Sequence, residues 1–233
     1  RMENLEQYRR RTGGFMRDSL PRDGMFETNP NLTRKVEGGG GFRPFYGDTV
    51  IFDVEDEVKD RIERIKSQLY RACGDMLAEP LDEDTFHATL HDLSSGGDSA
   101  ALAAQMEQNY WKAQQILDAI RPEDMPPVRV KAVSVFNMVN TSVVLGLEPA
   151  DETSCRRLME LYERFQDVVR LDYPLTLHIT IAYFRPGIYS DGQRQNLAGM
   201  FSGLNRDLDL GFCLEYERLR YQRFQDMNHY GDA

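Results

Sequence analysis

Apolar residues recur every three to four positions in several long segments, which is the spacing of one face of an α-helix. In the segment 55–77, for example, Val58, Ile62 and Leu69 follow this spacing. Another such segment begins at Asp151, a residue type that favours the N-terminal cap of a helix. The spacing predicts helices over residues 55–77, 100–120, 151–169 and 191–201.

Shorter segments are rich in β-branched and aromatic residues and are bounded by turn-forming residues, as is typical of strands. Two of them flank Asn137–Asn140, which predicts a hairpin, and the proline-rich stretch Pro122–Pro127 is predicted to end the helix before it. The predicted strands cover residues 49–54, 85–91, 128–136, 141–147, 175–184, 208–216 and 218–224.

Both ends of the chain lack this periodicity. Residues 1–47 are rich in Arg, Gly, Asn and Pro and contain the run Gly38–Gly41, a break typical of a linker. We predict that this N-terminal extension lies extended and packs on the folded domain. The folded domain is predicted to span residues 48–225, and residues 226–233 are predicted to form a frayed tail.

The order of the predicted elements repeats. The strands over 49–54 and 141–147 are each followed by a helix and then by a strand that contains the pattern His-x-Thr-apolar. A further helix and strand follow each pattern. This duplication predicts an α+β fold in which two pseudo-symmetric lobes of antiparallel sheet, with outer helices, surround a central groove. Lobe one would carry residues 87–90, and lobe two would carry residues 178–181.

The repeated pattern combines side chains suited to acid–base chemistry on a phosphate. Because side chains alternate along a strand, His87 and Thr89 share one face, as do His178 and Thr180. Near neutral pH one imidazole can be neutral and another protonated, the pairing needed to cleave a phosphodiester. The hydroxyl groups of Thr89 and Thr180 would bind the phosphate oxygens.

The amino-acid composition restricts the binding partners and the cellular compartment that we expect for this protein. A formal net charge of −10 argues against binding to long nucleic acid, but not against a nucleotide or an RNA end. No apolar run approaches the roughly 20 residues of a membrane helix, and the first residues lack the apolar core of a secretory signal. The 3 cysteines form no Cys-x-x-Cys pattern. We therefore expect a cytoplasmic protein without membrane association, and a monomer.

The two patterns, His87-Ala88-Thr89-Leu90 and the equivalent stretch 178–181, resemble those of the 2H phosphoesterase superfamily, which includes LigT-like and cyclic phosphodiesterase-like proteins. The resemblance covers about residues 45–225. It implies metal-free cleavage of 2′,3′-cyclic phosphates or 2′-5′ linkages. It also implies that His178 activates water and that His87 protonates the leaving oxygen.

Other residues are candidates for substrate binding. Tyr183 and Arg185 follow the second pattern, although both fall on the opposite face of a regular strand from His178. His91 is a candidate third group in the groove, and with His87 and His178 it would offer a zinc site as an alternative. No carboxylate or cysteine accompanies them at matching spacing, so no metal is expected.

Two aromatic residues before the first strand, Phe42 and Tyr46, are candidates for stacking on a base or for core packing. No phosphate-loop or dinucleotide-loop pattern is present, so no cofactor is expected. The sequence thus predicts a phosphodiesterase for a small nucleotide or RNA end. The alternatives are a non-catalytic module that binds the same ligands in the same groove, and a duplication without any site.

Overall fold

The chain alternates strands and helices in an α+β fold, as predicted, in a computed structural model that describes residues 2–121 and 126–233. Part of the predicted helix end at Pro122–Pro127, residues 122–125, lies outside the described residues. The helices are Leu5–Arg17 (α1), Asp56–Cys73 (α2), Ala100–Ile120 (α3), Glu152–Phe165 (α4) and Asp191–Arg206 (α5). The strands are Phe26–Glu27 (β1), Tyr46–Asp53 (β2), His87–Gly96 (β3), Val128–Met138 (β4), Ser142–Pro149 (β5), His178–Tyr183 (β6), Ile188–Tyr189 (β7), Gly211–Leu214 (β8), Leu219–Asp226 (β9) and His229–Asp232 (β10).

Eight strands form one antiparallel sheet in the order β10-β9-β2-β3-β6-β5-β4-β8, and β1 and β7 form a separate pair. The two predicted lobes are therefore joined as two four-stranded halves of one sheet. The first half is β10-β9-β2-β3, and the second half is β6-β5-β4-β8. They meet at the motif strands β3 and β6, where Ala88 lies opposite Ile179.

The helices form because each has an apolar face and a polar start. Ser99 accepts a hydrogen bond from the amide of Leu102 at the start of α3, and Asp151 accepts one from Ser154 at the start of α4. Helix α2 packs against α5, and α3 packs against α4, which are equivalent pairs under the repeat. No helix of the described residues is both long and apolar enough to span a membrane.

The two repeated units exchange a strand. The first unit, β2-α2-β3-α3-β4, ends in a strand that pairs with β5 in the second half. The second unit begins at β5, and its strand β9 pairs with β2 in the first half. Each half of the sheet is therefore built from both units.

The ends of the chain differ from the prediction. Residues 5–17 form a helix rather than an extended segment, because a capping box of Asn4 and Gln7 starts it and Leu5, Tyr8 and Met16 bury one face. The C-terminal residues 229–232 are not frayed, since they pair with β9. A third difference lies in β3, which continues to residue 96 beyond the predicted strand over 85–91, because it pairs with the start of β2.

Candidate active site

The two motifs lie on the central strands of the sheet and face one groove. His87, Thr89, His178 and Thr180 are all partly exposed, and all four line a groove of about 700 Å³. The residues between and after them are buried in the core: Ala88, Leu90, Ile179 and Ile181. The alternation predicted from the pattern therefore places two imidazoles and two hydroxyl groups around one space.

The register of β3 and β6 determines which of these groups are neighbours. Ala88 and Ile179 are directly opposite each other at the centre of the sheet. Counting outward along the antiparallel pair, each histidine falls opposite the threonine of the other motif. Side chains directly opposite each other on antiparallel strands lie about 5 Å apart at Cβ. The site is therefore two imidazole–hydroxyl pairs related by a pseudo-two-fold axis between Ala88 and Ile179.

Both histidines are oriented by the same backbone contact. Nδ1 of His87 lies 2.6 Å from the carbonyl oxygen of Thr85, and Nδ1 of His178 lies 2.7 Å from that of Thr176. Because a carbonyl oxygen only accepts hydrogen bonds, Nδ1 must carry the proton in each ring. Each Nε2 is then left as the atom that can take up or release a proton in the groove.

Burial shifts both imidazoles toward the neutral form. It lowers the pKa of His87 to about 4, and repulsion from His178 adds to the effect while the Thr85 carbonyl opposes it. Burial also lowers the pKa of His178, against the Thr176 carbonyl and the negative charge of Asp92. Because two cationic imidazoles repel each other, the pair favours at most one proton beyond the neutral state.

A β-bulge follows the threonine in each motif and changes which later residues face the groove. Leu90 is the extra residue in β3, and Ile181 is the extra residue in β6. The bulge in β6 returns Tyr183 to the face of Thr180, so it lines the groove. The expectation that Tyr183 falls on the opposite face from the site is therefore wrong, because that count assumed a regular strand.

The equivalent bulge in β3 brings Asp92 onto the groove face, and sequence reasoning missed this residue. Asp92 accepts a hydrogen bond of 3.1 Å from the hydroxyl group of Tyr173. Its negative charge raises the pKa of both His87 and His178, so it lies near both imidazoles. Residue 92 shares a face of the strand with residues 87 and 89 only because of the bulge. Nothing in the motif itself indicates a bulge.

His91 is held as a structural residue at the edge of the groove. It is buried, with Nδ1 2.6 Å from the Asp92 carbonyl oxygen and Nε2 2.8 Å from Oε1 of Gln166. Both nitrogens are thus occupied, so His91 offers no free nitrogen to a zinc ion. In the part of the chain that the structure describes, no group of three or more His, Cys, Asp and Glu side chains is placed to hold a metal.

The remaining sequence candidates lie outside the groove lining. Arg185 packs against the turn at Gly40, where φ is +95° and a Cβ would lie 3.0 Å from the Arg185 Nε. Phe42 makes an edge contact with Tyr183, at 6.0 Å between ring centroids, but does not itself line the groove. Tyr46 pairs with the end of β3 at residue 96. The structure does not bring these three to the motif residues.

Aromatic residues from the two ends of the chain form a wall beside the first motif. The ring of Tyr230, in β10, lies 4.9 Å from the imidazole of His87. Phe224 lies 5.1 Å from Tyr230 and 6.1 Å from Phe45. A Cβ at Gly47 would lie 2.3 Å from Phe224, so only glycine leaves room for that ring. The polar sequence around Tyr230 gave no signal of this role.

The sheet arrangement is shared with a solved structure. A conserved protein of unknown function, ATU0111 from Agrobacterium tumefaciens str. C58, matches with a TM-score of 0.69 at 13% identity, over 89% of this chain and 93% of that chain. The chain therefore has the same overall fold as ATU0111. The α+β fold with an antiparallel sheet, expected from the two motifs, is thus confirmed.

More distant structures match with lower scores. TT0787 of Thermus thermophilus gives a TM-score of 0.47 at 13% identity, over 79% of this chain and 93% of that chain. E. coli LigT gives 0.45 at 12% identity, over 82% and 96%. No family model and no curated protein matches the chain. Likenesses this weak say nothing about the substrate.

Proposed function

We propose that this protein is a metal-independent phosphodiesterase that hydrolyses a 2′,3′-cyclic phosphate or a 2′-5′ phosphodiester of a nucleotide or RNA end. The observation that carries the proposal is the pair of imidazoles, His87 and His178, each with Nδ1 bound to a carbonyl and Nε2 left free in one groove. A volume of about 700 Å³ lies within the range of small-molecule sites.

In the proposed reaction the two imidazoles exchange protons with opposite ends of the scissile phosphate. One Nε2 removes a proton from water as the water oxygen forms a bond to phosphorus. The other Nε2 donates a proton to the departing ribose oxygen as its bond to phosphorus breaks. The hydroxyl groups of Thr89 and Thr180 donate hydrogen bonds to the non-bridging oxygens, where negative charge increases in the transition state.

The electrostatics of the groove support the assignment of one imidazole as base and the other as acid. Since burial lowers the pKa of both imidazoles, both are neutral at pH 7 before substrate binds. A bound phosphate raises the pKa of the nearest imidazole, because an opposite charge favours the protonated form. Repulsion between the rings keeps the second imidazole neutral. Substrate binding thus produces one acid and one base.

The test replaces each motif histidine by alanine and measures hydrolysis of 2′,3′-cyclic AMP and of a 2′-5′-linked dinucleotide after dialysis against a chelator. His87→Ala and His178→Ala should each lower kcat by roughly 10²- to 10⁴-fold, with nucleotide binding largely kept. His229→Ala is the matched control, since this exposed histidine contacts Asp226 outside the groove.

Three results would contradict the proposal. Nucleotide binding without turnover by the parent protein would favour the non-catalytic module. Inactivation by the chelator would exclude the metal-free mechanism. Full activity in either motif variant would show that the imidazole replaced takes no part in proton transfer.

A further inference from the structure

A lysine from the N-terminal segment lines the groove with the motif residues. Lys35 follows a short 3-10 turn, Pro30–Arg34, and its ammonium group lies 5.3 Å from the centre of the Phe45 ring. Within residues 2–121 and 126–233, no carboxylate lies within ion-pair distance of this ammonium. Burial lowers the pKa of Lys35, which reflects the cost of a charge without a direct partner.

The backbone holds this lysine in place on both sides. Its amide donates to the carbonyl of Leu32 at 2.9 Å, and its carbonyl accepts from the amide of Arg43 at 2.9 Å. Val36 and Phe42 form a β-bridge immediately after it. The ammonium group is therefore presented to the groove by ordered backbone rather than by a free tail.

Lys35 is connected to the first motif by a series of aromatic contacts along the groove. The His87 imidazole contacts Tyr230, Tyr230 contacts Phe224, and Phe224 contacts Phe45, whose ring the Lys35 ammonium lies over. Asp92 raises the pKa of His87 and of Lys35, so its carboxylate lies within electrostatic reach of both. The groove thus has a proton-transfer centre at one position, a cation at another, and a carboxylate near both.

We propose that Lys35 binds a second phosphate of the substrate, on the opposite side of the nucleoside from the scissile phosphate. This rests on the proposed function for the position of the scissile group. The unpaired ammonium offers three donors to phosphate oxygens. Asp92 repels a polyphosphate chain that would run between the two positions, whereas it can accept hydrogen bonds from a ribose hydroxyl or a base amino group. The substrate class is therefore a nucleoside with a phosphate at each end, as at the 3′ end of an oligonucleotide.

The test compares binding of adenosine 2′-monophosphate and adenosine 2′,5′-bisphosphate by titration calorimetry. The parent protein should bind the bisphosphate at least about tenfold more tightly, the effect of one charge-assisted hydrogen bond. In Lys35→Met that ratio should fall below about threefold. Arg34→Met is the matched control, because Arg34 also lies over the Phe45 ring, at 5.5 Å, but does not line the groove, and it should keep the parent ratio.

The outcomes separate this proposal from the proposed function. Equal binding of both nucleotides by the parent protein, or an equal loss for both in Lys35→Met, would overturn the role of Lys35 while leaving cyclic-phosphate hydrolysis untouched. A tenfold advantage that disappears only in Lys35→Met would support it. If that advantage is present but no cyclic phosphate is hydrolysed, the second phosphate site stands and the catalytic proposal fails.

Discussion

The two halves of the sheet carry the same His-x-Thr pattern but are supported by different parts of the chain. In both halves the motif histidine bonds a carbonyl two residues before it, and a bulge follows the motif threonine. The supports differ. The first motif is contacted by Tyr230 from the C-terminal strand β10, whereas the second is reached by helix α1 at the N-terminus.

The support of the second motif is the more deeply buried. The hydroxyl group of Tyr8 donates to the Leu147 carbonyl and accepts from the Leu177 amide, at 2.8 and 2.9 Å, in the core. Arg11 bonds the carbonyl of Leu175 and the hydroxyl group of Thr176, just before His178. On the first half, Asn228 accepts a hydrogen bond from the exposed amide of Asp82.

This comparison indicates that the chemistry of the site is symmetric while its environment is not. A duplicated strand needs only its own sequence to orient a histidine against the preceding carbonyl. The residues around each motif come from helix α1 and strand β10, which are not part of the repeat. These different surroundings make the two imidazoles inequivalent. Two inequivalent imidazoles suit a reaction in which one acts as acid and the other as base.

Within this comparison of the two halves, the largest expected effect tests whether the two threonines are equivalent. Thr89→Val and Thr180→Val should each lower kcat/KM for a cyclic phosphate by roughly 100-fold, because each removes a donor to the charged oxygens while keeping the shape of the side chain. The measurement is steady-state kinetics on both variants. A loss confined to one variant would show that a single half stabilises the transition-state charge.

A second prediction concerns the pH dependence of stability. The pKa of His87 is about 4 in the folded protein and roughly 6.5 in an unfolded chain. Between these values the unfolded chain binds a proton that the folded imidazole does not. The contribution of His87 to the free energy of unfolding therefore has its full value above pH 6.5. It decreases by at most about 3 kcal/mol as the pH drops to 4.

Denaturant unfolding of the parent and of His87→Ala across this pH range measures the difference. The parent should lose more stability on acidification than the variant. The same experiment on His178→Ala gives the contribution of the second half, since its pKa is also lowered. Parallel pH profiles for the parent and His87→Ala would contradict the low pKa of His87.

The third prediction compares the two supports. Tyr8→Phe should lower the unfolding free energy by about 1–3 kcal/mol, because it leaves a buried amide and carbonyl without a partner. Asn228→Ala should cost less than about 1 kcal/mol, since water can replace its bond to the exposed Asp82 amide. Equal losses in chemical denaturation would show that the two halves are supported with similar strength.

The smallest effect concerns the hairpin between β4 and β5 in the second half, where Met138 and Val139 line the groove. Val139 and Asn140, at its tip, have φ of +45° and +60°, and Val139 is 68% exposed. A β-branched residue is disfavoured in this left-handed region, whereas asparagine tolerates it. Val139→Asn should therefore raise the unfolding free energy by about 1 kcal/mol or less. A decrease in the melting temperature would indicate that contacts of the valine outweigh the strain.

The sequence predicted the elements with strong local periodicity. Helix α3 and the cap of α4 lie where the spacing placed them, because an apolar face and a capping residue act within a few positions of each other. The 1–47 segment was harder to predict. Its helix α1 is short and polar, and its buried face is recognisable only once the partner strands β4 and β5 are known.

The site, too, was predictable only for residues that follow a local sequence pattern. Four motif residues face the groove because a period of two and a duplication are visible in the chain. Asp92 and Tyr183 depend on bulges, which arise from pairing with neighbouring strands rather than from local sequence. Tyr230 and Lys35 reach the groove from distant segments, and no pattern in either segment indicates such a contact.

The strand exchange between the repeated units determines the order in which the protein can be completed during synthesis. The second half, β6-β5-β4-β8, is complete once residue 214 has been made, whereas β2 receives its partner β9 only from residues 219–226. The half that is translated first is therefore finished last. A nascent chain that stops before residue 219 exposes one edge of β2, the kind of unpaired edge to which other unfinished chains add a strand.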